Sequence, residues 1–161
     1  VGGRGEDLDR LTEAALAQFP RKKPTRLKTE GAFHTFYMIA AALHFRPMLD
    51  AATLQAPAIR VLSNYTGGHH DADPATIKTR LFFQLFNPVN WIGNLETAFH
   101  DGINTIVEFG GRLGSGPNPE DKRPNLESMI KKALRGSDFS VQHHTAINSQ
   151  TLRSAAEALC P

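Results

Sequence analysis

Gly31-Ala32-Phe33-His34-Thr35-Phe36-Tyr37-Met38 and, about fifty residues later, Gln84-Leu85-Phe86-Asn87-Pro88-Val89-Asn90-Trp91 are the two stretches that decide the reading of this chain. In the first, a histidine follows a small-small-aromatic run and precedes a predicted helix. A side chain there can project from a strand end toward a neighbouring loop. An imidazole in water titrates near ~6.5, which suits taking a proton from a hydroxyl and returning it to a leaving group. On residue chemistry alone, one histidine among seven is ordinarily a surface or packing residue. In the second stretch, Gln84 falls at the end of a predicted helix, where a solvent-facing role is the plain alternative.

Outward from these stretches the pattern alternates between helix and strand. Leu8, Leu11, Ala15 and Phe19 recur at helical spacing over 6–19, with Glu6 and Asp7 at the start; Pro20 and Pro24 end that helix. Thr25 to Glu30 reads as a short strand leading into Gly31. A second helix is predicted from about Thr35 to Leu54, kinked or broken at Pro47. Ala58 to Asn64, with Ile59, Val61 and Leu62, reads as a buried strand ending at the turn Thr66-Gly67-Gly68. Asp73-Pro74 has the form of an N-cap followed by proline at the first helical position, opening a helix to about Leu85.

Further helices are predicted over Trp91 to His100, over 125–135 and over 149–159. Thr105 to Phe109 reads as an apolar strand, Gly110 to Pro124 as a long surface loop, and Ser140 to Gln142 as a last strand. Strands alternating with helices give an α/β fold with a mostly parallel sheet.

Composition narrows the function classes. Of the 161 residues, 40% are apolar and 21% charged, which fits a globular protein rather than a disordered one. A formal charge of +2 is too small to argue for nucleic acid. One cysteine, Cys160, excludes an internal disulfide and a Cys-rich zinc site, and no CaaX pattern follows it. No apolar run approaches the ~18 residues that span a bilayer, and the polar Gly2-Gly3-Arg4-Gly5-Glu6-Asp7 does not open a signal peptide. The expectation is a cytoplasmic enzyme fragment, with neither nucleic acid nor membrane as partner. A first residue other than methionine suits a chain that begins partway through a gene product.

Four blocks carry a resemblance: Gly31-Ala32-Phe33-His34 with Thr35 and Met38; Val61-Leu62-Ser63-Asn64-Tyr65-Thr66-Gly67; Gln84-Leu85 with Asn87-Pro88-Val89 and Trp91; and Gly102 with Val107-Glu108 and Gly110. In this order and near this spacing, over roughly residues 3–112, they resemble the malonyl-CoA:acyl carrier protein acyltransferases of fatty-acid and polyketide synthesis. Phe36-Tyr37 departs from the Pro-Leu common in fatty-acid enzymes, and Tyr37-Met38 looks closer to the discrete, trans-acting acyltransferases of polyketide synthases. The last block departs from the family, which usually continues Glu-x-Gly-Pro-Gly, whereas this chain reads Glu108-Phe109-Gly110-Gly111-Arg112-Leu113-Gly114. That departure puts any CoA or carrier contact by this loop in doubt.

The resemblance implies an α/β-hydrolase-like large domain with a ferredoxin-like small subdomain. Residues 1–29 would finish the small subdomain and residues 30–161 would return to the large one. It also implies His34 as the base that activates a serine and later deprotonates the carrier thiol. Gln84 would hold the other ring nitrogen through its main-chain carbonyl, since orientation is the main requirement on a third triad member. Asn64 would support the pocket, or serve only as a turn residue. Phe33 would occupy the space an α-methyl group needs, favouring malonyl; one methyl is worth ~1–3 kcal/mol, a preference rather than an exclusion.

The family's serine sits in a Gly-x-Ser-x-Gly-type elbow before the histidine, and none precedes His34. The chain therefore looks like the C-terminal half of an enzyme, inactive alone. Its implied partners are the N-terminal half, an acyl carrier protein and acyl-CoA. No cofactor is implied, because malonyl-CoA and the phosphopantetheine-bearing carrier are substrates. An acyl hydrolase of the same family, a transferase for a longer chain with Phe33 lining a tunnel, and a non-catalytic carrier-binding fragment remain open alternatives.

Other clusters are weaker. His69-His70-Asp71-Ala72-Asp73 and His143-His144 show no third or fourth metal ligand at suitable spacing and read as solvated turns. No metal is expected. Arg21-Lys22-Lys23 reads as a solvated turn that could also attract an acidic carrier.

Overall fold

The computed structural model describes residues 1–22, 24–27, 29–111, 114 and 116–160. Lys23 of the basic cluster and Arg112 and Leu113 of the glycine block lie outside the described residues. Two compact units divide the chain, Val1–Asn94 and Leu95–Pro161.

The first unit begins with helix α1 (Gly5–Gln18), as the periodicity predicts, with Glu6 and Asp7 in its first turn. None of its residues is buried. The strand expected over Thr25 to Glu30 is absent from its described residues, which make one local backbone bond, Thr29 N–H to Leu27 O. Arg26 there reaches back to Asp9 of α1 at 3.0 Å. A strand exists only where a neighbour supplies its backbone partners, and no neighbour pairs here.

After a 3₁₀ turn (Phe36–Met38), α2 runs from Ile39 to Ala51 and continues four residues past Pro47 without the expected break. The cost is one intrahelical donor near the end of the helix, not the helix itself. Only Ala42 and Leu49 of α2 are buried. They pack with Phe82 of α3 (Pro74–Gln84), and Leu81, Phe83, Leu85 and Phe86 close around them. Phe82 meets Phe83 and Phe86 edge-on, Tyr65 stacks on Phe83, and Arg46 sits over the Phe82 ring.

Helix α3 starts where the sequence says. The Asp73 carboxylate accepts N–H bonds from Ala75 (3.2 Å) and Thr76 (2.9 Å) and the Thr76 hydroxyl at 2.7 Å. The hydroxyl bond and then the two N–H bonds hold the Asp73 carboxyl below its ordinary pKa.

The buried strand expected over Ala58 to Asn64 is instead an exposed approach to a turn. Ile59 is 77% exposed, and the only pairing is the isolated antiparallel bridge Leu62–His69. Ser63 N–H to Gly68 O and Gly67 N–H to Ser63 O, both 2.8 Å, close the turn. Gly67 adopts φ 77°, and a Cβ there would fall 2.5 Å from Asn90 Nδ2, so glycine is required twice over.

Helix α4 (Trp91–His100) spans the boundary between the units. In the second unit, β1 (Thr105–Phe109) pairs in parallel with β2 (Gln142–Ala146), in register from Thr105–Gln142 to Phe109–Ala146. The last strand thus starts two residues after the predicted Ser140 and runs on to Ala146, and His143-His144 lie in it rather than in a solvated turn. Register with β1 sets this position, because it brings His143 Nε2 to 3.1 Å from the buried Glu108 carboxylate. Glu108 also accepts the N–H groups of Asn125 (2.5 Å) and Leu126 (3.1 Å), fixing the far end of the long loop before α5 (Glu127–Ala133). The final helix, α6 (Ser149–Leu159), opens with a capping box between Asn148 and Thr151.

Candidate active site

His34 and Gln84 come together at the C-terminal end of α3. Packing of α3 on α2 through Phe82, Leu49 and Ala42 holds the two segments in place. Within the 31–38 segment, the Thr35 hydroxyl donates to Ala32 O at 2.6 Å, closing a tight turn around the histidine. His34 itself adopts φ 62°, a left-handed conformation found in no other described non-glycine residue. For a residue with a Cβ this conformation costs of order 1–3 kcal/mol.

Two hydrogen bonds offset that strain. The His34 main-chain N–H donates to Leu85 O at 3.1 Å, and ring atom Nδ1 lies 2.9 Å from Gln84 O. A carbonyl oxygen can only accept, so Nδ1 carries the proton in this bond. In the neutral imidazole, Nε2 is then the basic nitrogen with a free lone pair. The arrangement can therefore take a proton at Nε2 while the main chain steadies the charge that forms on the ring.

Beside His34 lies a hollow of about 210 Å³ lined by Phe33, His34, Phe45, Leu81, Gln84 and Leu85. Three of the four expected site residues thus share one place: Phe33, His34 and Gln84. Asn64 is elsewhere. Its Oδ1 accepts from Asn94 Nδ2 at 2.8 Å and its main-chain oxygen accepts from Asn90 N–H at 2.7 Å. It ties the 63–68 turn to the start of α4 and does not line the hollow.

Phe45, Leu81 and Leu85 are lining residues that the sequence reading missed. For two of them a signal was present: Leu81, Gln84 and Leu85 stand at i, i+3 and i+4, one face of a helix end. Phe45 gave none, since its helix is apolar on nearly every side.

The other clusters take structural places. Arg80 donates to His69 O at 2.6 Å and pairs with Asp71 at 2.5 Å. Burial and then the Arg80 cation push the His70 imidazole below its ordinary pKa, with Asp71 opposing. No group of three metal-ligating side chains occurs among the described residues. Nor, among them, is any helix long and apolar enough to cross a membrane.

No family model matches the chain. A malonyl CoA-acyl carrier protein transacylase of Bacillus subtilis is 30% identical over 117 residues, 72% of this chain and 36% of the relative. A probable mitochondrial malonyl-CoA-acyl carrier protein transacylase of Drosophila melanogaster is 37% identical over 137 residues, 85% of this chain and 35% of the relative. The chain thus spans about a third of the length of these curated relatives. Among solved structures, a malonyl-transacylase in complex with its type II polyketide synthase acyl-carrier protein superposes with TM-score 0.79. That likeness covers 97% of this chain and 45% of the other at 20% identity, and it shows the same α/β acyltransferase fold. The chain belongs to the malonyl-CoA:acyl carrier protein transacylase family, of which it spans the C-terminal part.

Proposed function

We propose that this chain supplies the general base of a malonyl-CoA:acyl carrier protein transacylase whose nucleophilic serine lies outside residues 1–161. The observation that carries this reading is the bond between His34 Nδ1 and the Gln84 carbonyl, which leaves Nε2 basic. Nε2 takes the serine proton as the serine oxygen attacks the malonyl thioester, and returns it to the departing CoA thiolate. In the second half-reaction it takes the proton of the carrier's phosphopantetheine thiol, which attacks the malonyl-serine ester. The imidazolium then gives that proton to the leaving serine oxygen. Each half-reaction ends with neutral His34, as ping-pong acyl transfer requires.

Phe33, in the wall of the hollow beside His34, makes malonyl the preferred acyl group over its α-methyl homologue. An acyl carrier protein is the acceptor, by analogy with the complex formed by the structural relative. No cofactor takes part. Alone the chain turns over no malonyl-CoA. The test is to add a segment bearing the family's serine elbow and follow malonyl transfer from CoA to a phosphopantetheinylated carrier. Transfer that needs both polypeptides and is lost in His34→Ala supports the reading; transfer that persists in His34→Ala overturns it.

A further inference from the structure

Gln84 can serve His34 only if its carbonyl has no better partner, and the sequence explains why it has none. In an α-helix the N–H of each residue donates to the carbonyl four residues earlier, so the last four carbonyls are left over. At the end of α3 every one from Phe82 onward is taken. Phe82 O accepts from Leu85 N–H and Phe83 O from Phe86 N–H, both at 3.3 Å. Phe83 O accepts Asn87 Nδ2 as well, at 2.7 Å. Gln84 O and Leu85 O accept from His34.

The residue whose N–H a continuing helix would offer to Gln84 is residue 88. It is a proline and has no N–H. Proline also disfavours helical backbone in the residue before it, Asn87. The Asn87 side chain makes the bond to Phe83 O that its own N–H would make in a longer helix.

We propose that Pro88 is a positioning residue: by withholding the donor that would occupy Gln84 O, it reserves that carbonyl for Nδ1 of His34. Its importance for catalysis rests on reading His34 as the base, whereas its effect on the ring rests on the hydrogen bonds alone. In Pro88→Ala the new N–H competes for Gln84 O, the Nδ1–H bond weakens, and the Nε2–H tautomer gains population at the expense of the basic one.

The experiment is a long-range ¹H–¹⁵N spectrum of the full chain with ¹⁵N-labelled histidine, recorded with the imidazoles neutral. The wild type shows His34 Nε2 in the unprotonated range and Nδ1 in the protonated range. Pro88→Ala moves both toward averaged positions. Lactic acid at position 88, an ester link with neither ring nor N–H, restores the wild-type spectrum. In the serine-complemented assay, Pro88→Ala lowers kcat about tenfold at unchanged KM, the worth of one such hydrogen bond.

A folded Pro88→Ala with the wild-type spectrum overturns the proposal. So does an ester variant that matches Pro88→Ala, because ring stiffness would then be the cause. A wild-type His34 protonated at Nε2 overturns the proposal as well, because Nδ1 then has no proton for Gln84 O. The expected spectra together with malonyl transfer that persists in His34→Ala sink only the reading of His34 as base. Should the alanine variant fail to fold, Pro88→Gly and its glycolic-acid ester give the same comparison of N–H against oxygen.

Discussion

Nδ1 of His34 meets the main-chain oxygen of Gln84 at 2.9 Å, although fifty residues of sequence separate them. Because the acceptor is a carbonyl, changing the Gln84 side chain leaves the contact intact. Gln84→Ala is expected to retain catalysis to within a few-fold in the serine-complemented assay. His34→Ala is expected to lose ~10²–10⁴ in kcat, the usual contribution of a positioned base. Steady-state rates of carrier malonylation separate the two.

Phe33 predicts a change in selectivity. Shortening it in Phe33→Ala opens the wall beside His34 and raises the kcat/KM ratio of methylmalonyl-CoA to malonyl-CoA by about tenfold or more, the scale of one methyl group's steric cost. Competition between the two thioesters in one reaction reads that ratio directly. An unchanged ratio assigns Phe33 to packing alone.

The aromatic cluster beneath the site predicts a coupling of stability to site geometry. Phe82→Ala removes the ring that joins α3 to Ala42 and Leu49 of α2 and is expected to cost about 3–5 kcal/mol. Chemical denaturation followed by circular dichroism measures this loss. The same variant should broaden the His34 ring resonances, since α2 and α3 fix its two partners.

Some of these features were legible in the sequence and others were not. Asp73-Pro74 gives the start of α3, because a cap followed by proline is a short-range pattern with its own chemistry. The pair His34 and Gln84 follows only from the resemblance of the 31–38 and 84–91 stretches to the acyltransferase family, since neither residue's chemistry alone marks it out. The left-handed backbone of His34 is invisible in the sequence, since the two carbonyls it meets, Gln84 O and Leu85 O, lie about fifty residues away at the end of α3. Thr25 to Glu30 and Ala58 to Asn64 carry strand-like residues, yet strand formation depends on a pairing neighbour. Among the described residues the first forms no ladder, and the second forms only the isolated bridge Leu62–His69. His143 was misplaced for the opposite reason. A polar His-His pair looks like a turn until the contact of His143 with the buried Glu108 is seen.

The Asp73 cap predicts a pH-dependent loss. Its carboxyl is held below its ordinary pKa by the Thr76 hydroxyl and the Thr76 and Ala75 N–H groups. A depressed carboxylate stabilises the fold fully above the unfolded value of about 3.9, and the benefit disappears as pH falls through the lower folded value. Asp73→Ala should therefore lower Tm at pH 7, and the gap to wild type should close in acid below about pH 4. Thermal melts at both pH values check the sign.

Glu108 predicts a local opening in the second unit. Its buried carboxylate holds the Asn125 and Leu126 N–H groups, so Glu108→Ala leaves both without that acceptor. Their amide hydrogen exchange should accelerate by tenfold or more, since a hydrogen bond to a charged group is worth ~1.5–3 kcal/mol. Exchange at wild-type rates would show that the carboxylate does not hold the loop end.

The central claim is that His34 is the base for a serine supplied from outside this chain. Its most direct test is the intact mass of a serine-elbow polypeptide incubated with malonyl-CoA, with this chain or with His34→Ala. One malonyl group gained with the wild-type chain, and none on the same timescale with His34→Ala, is the predicted result. Equal malonylation in both mixtures would contradict it.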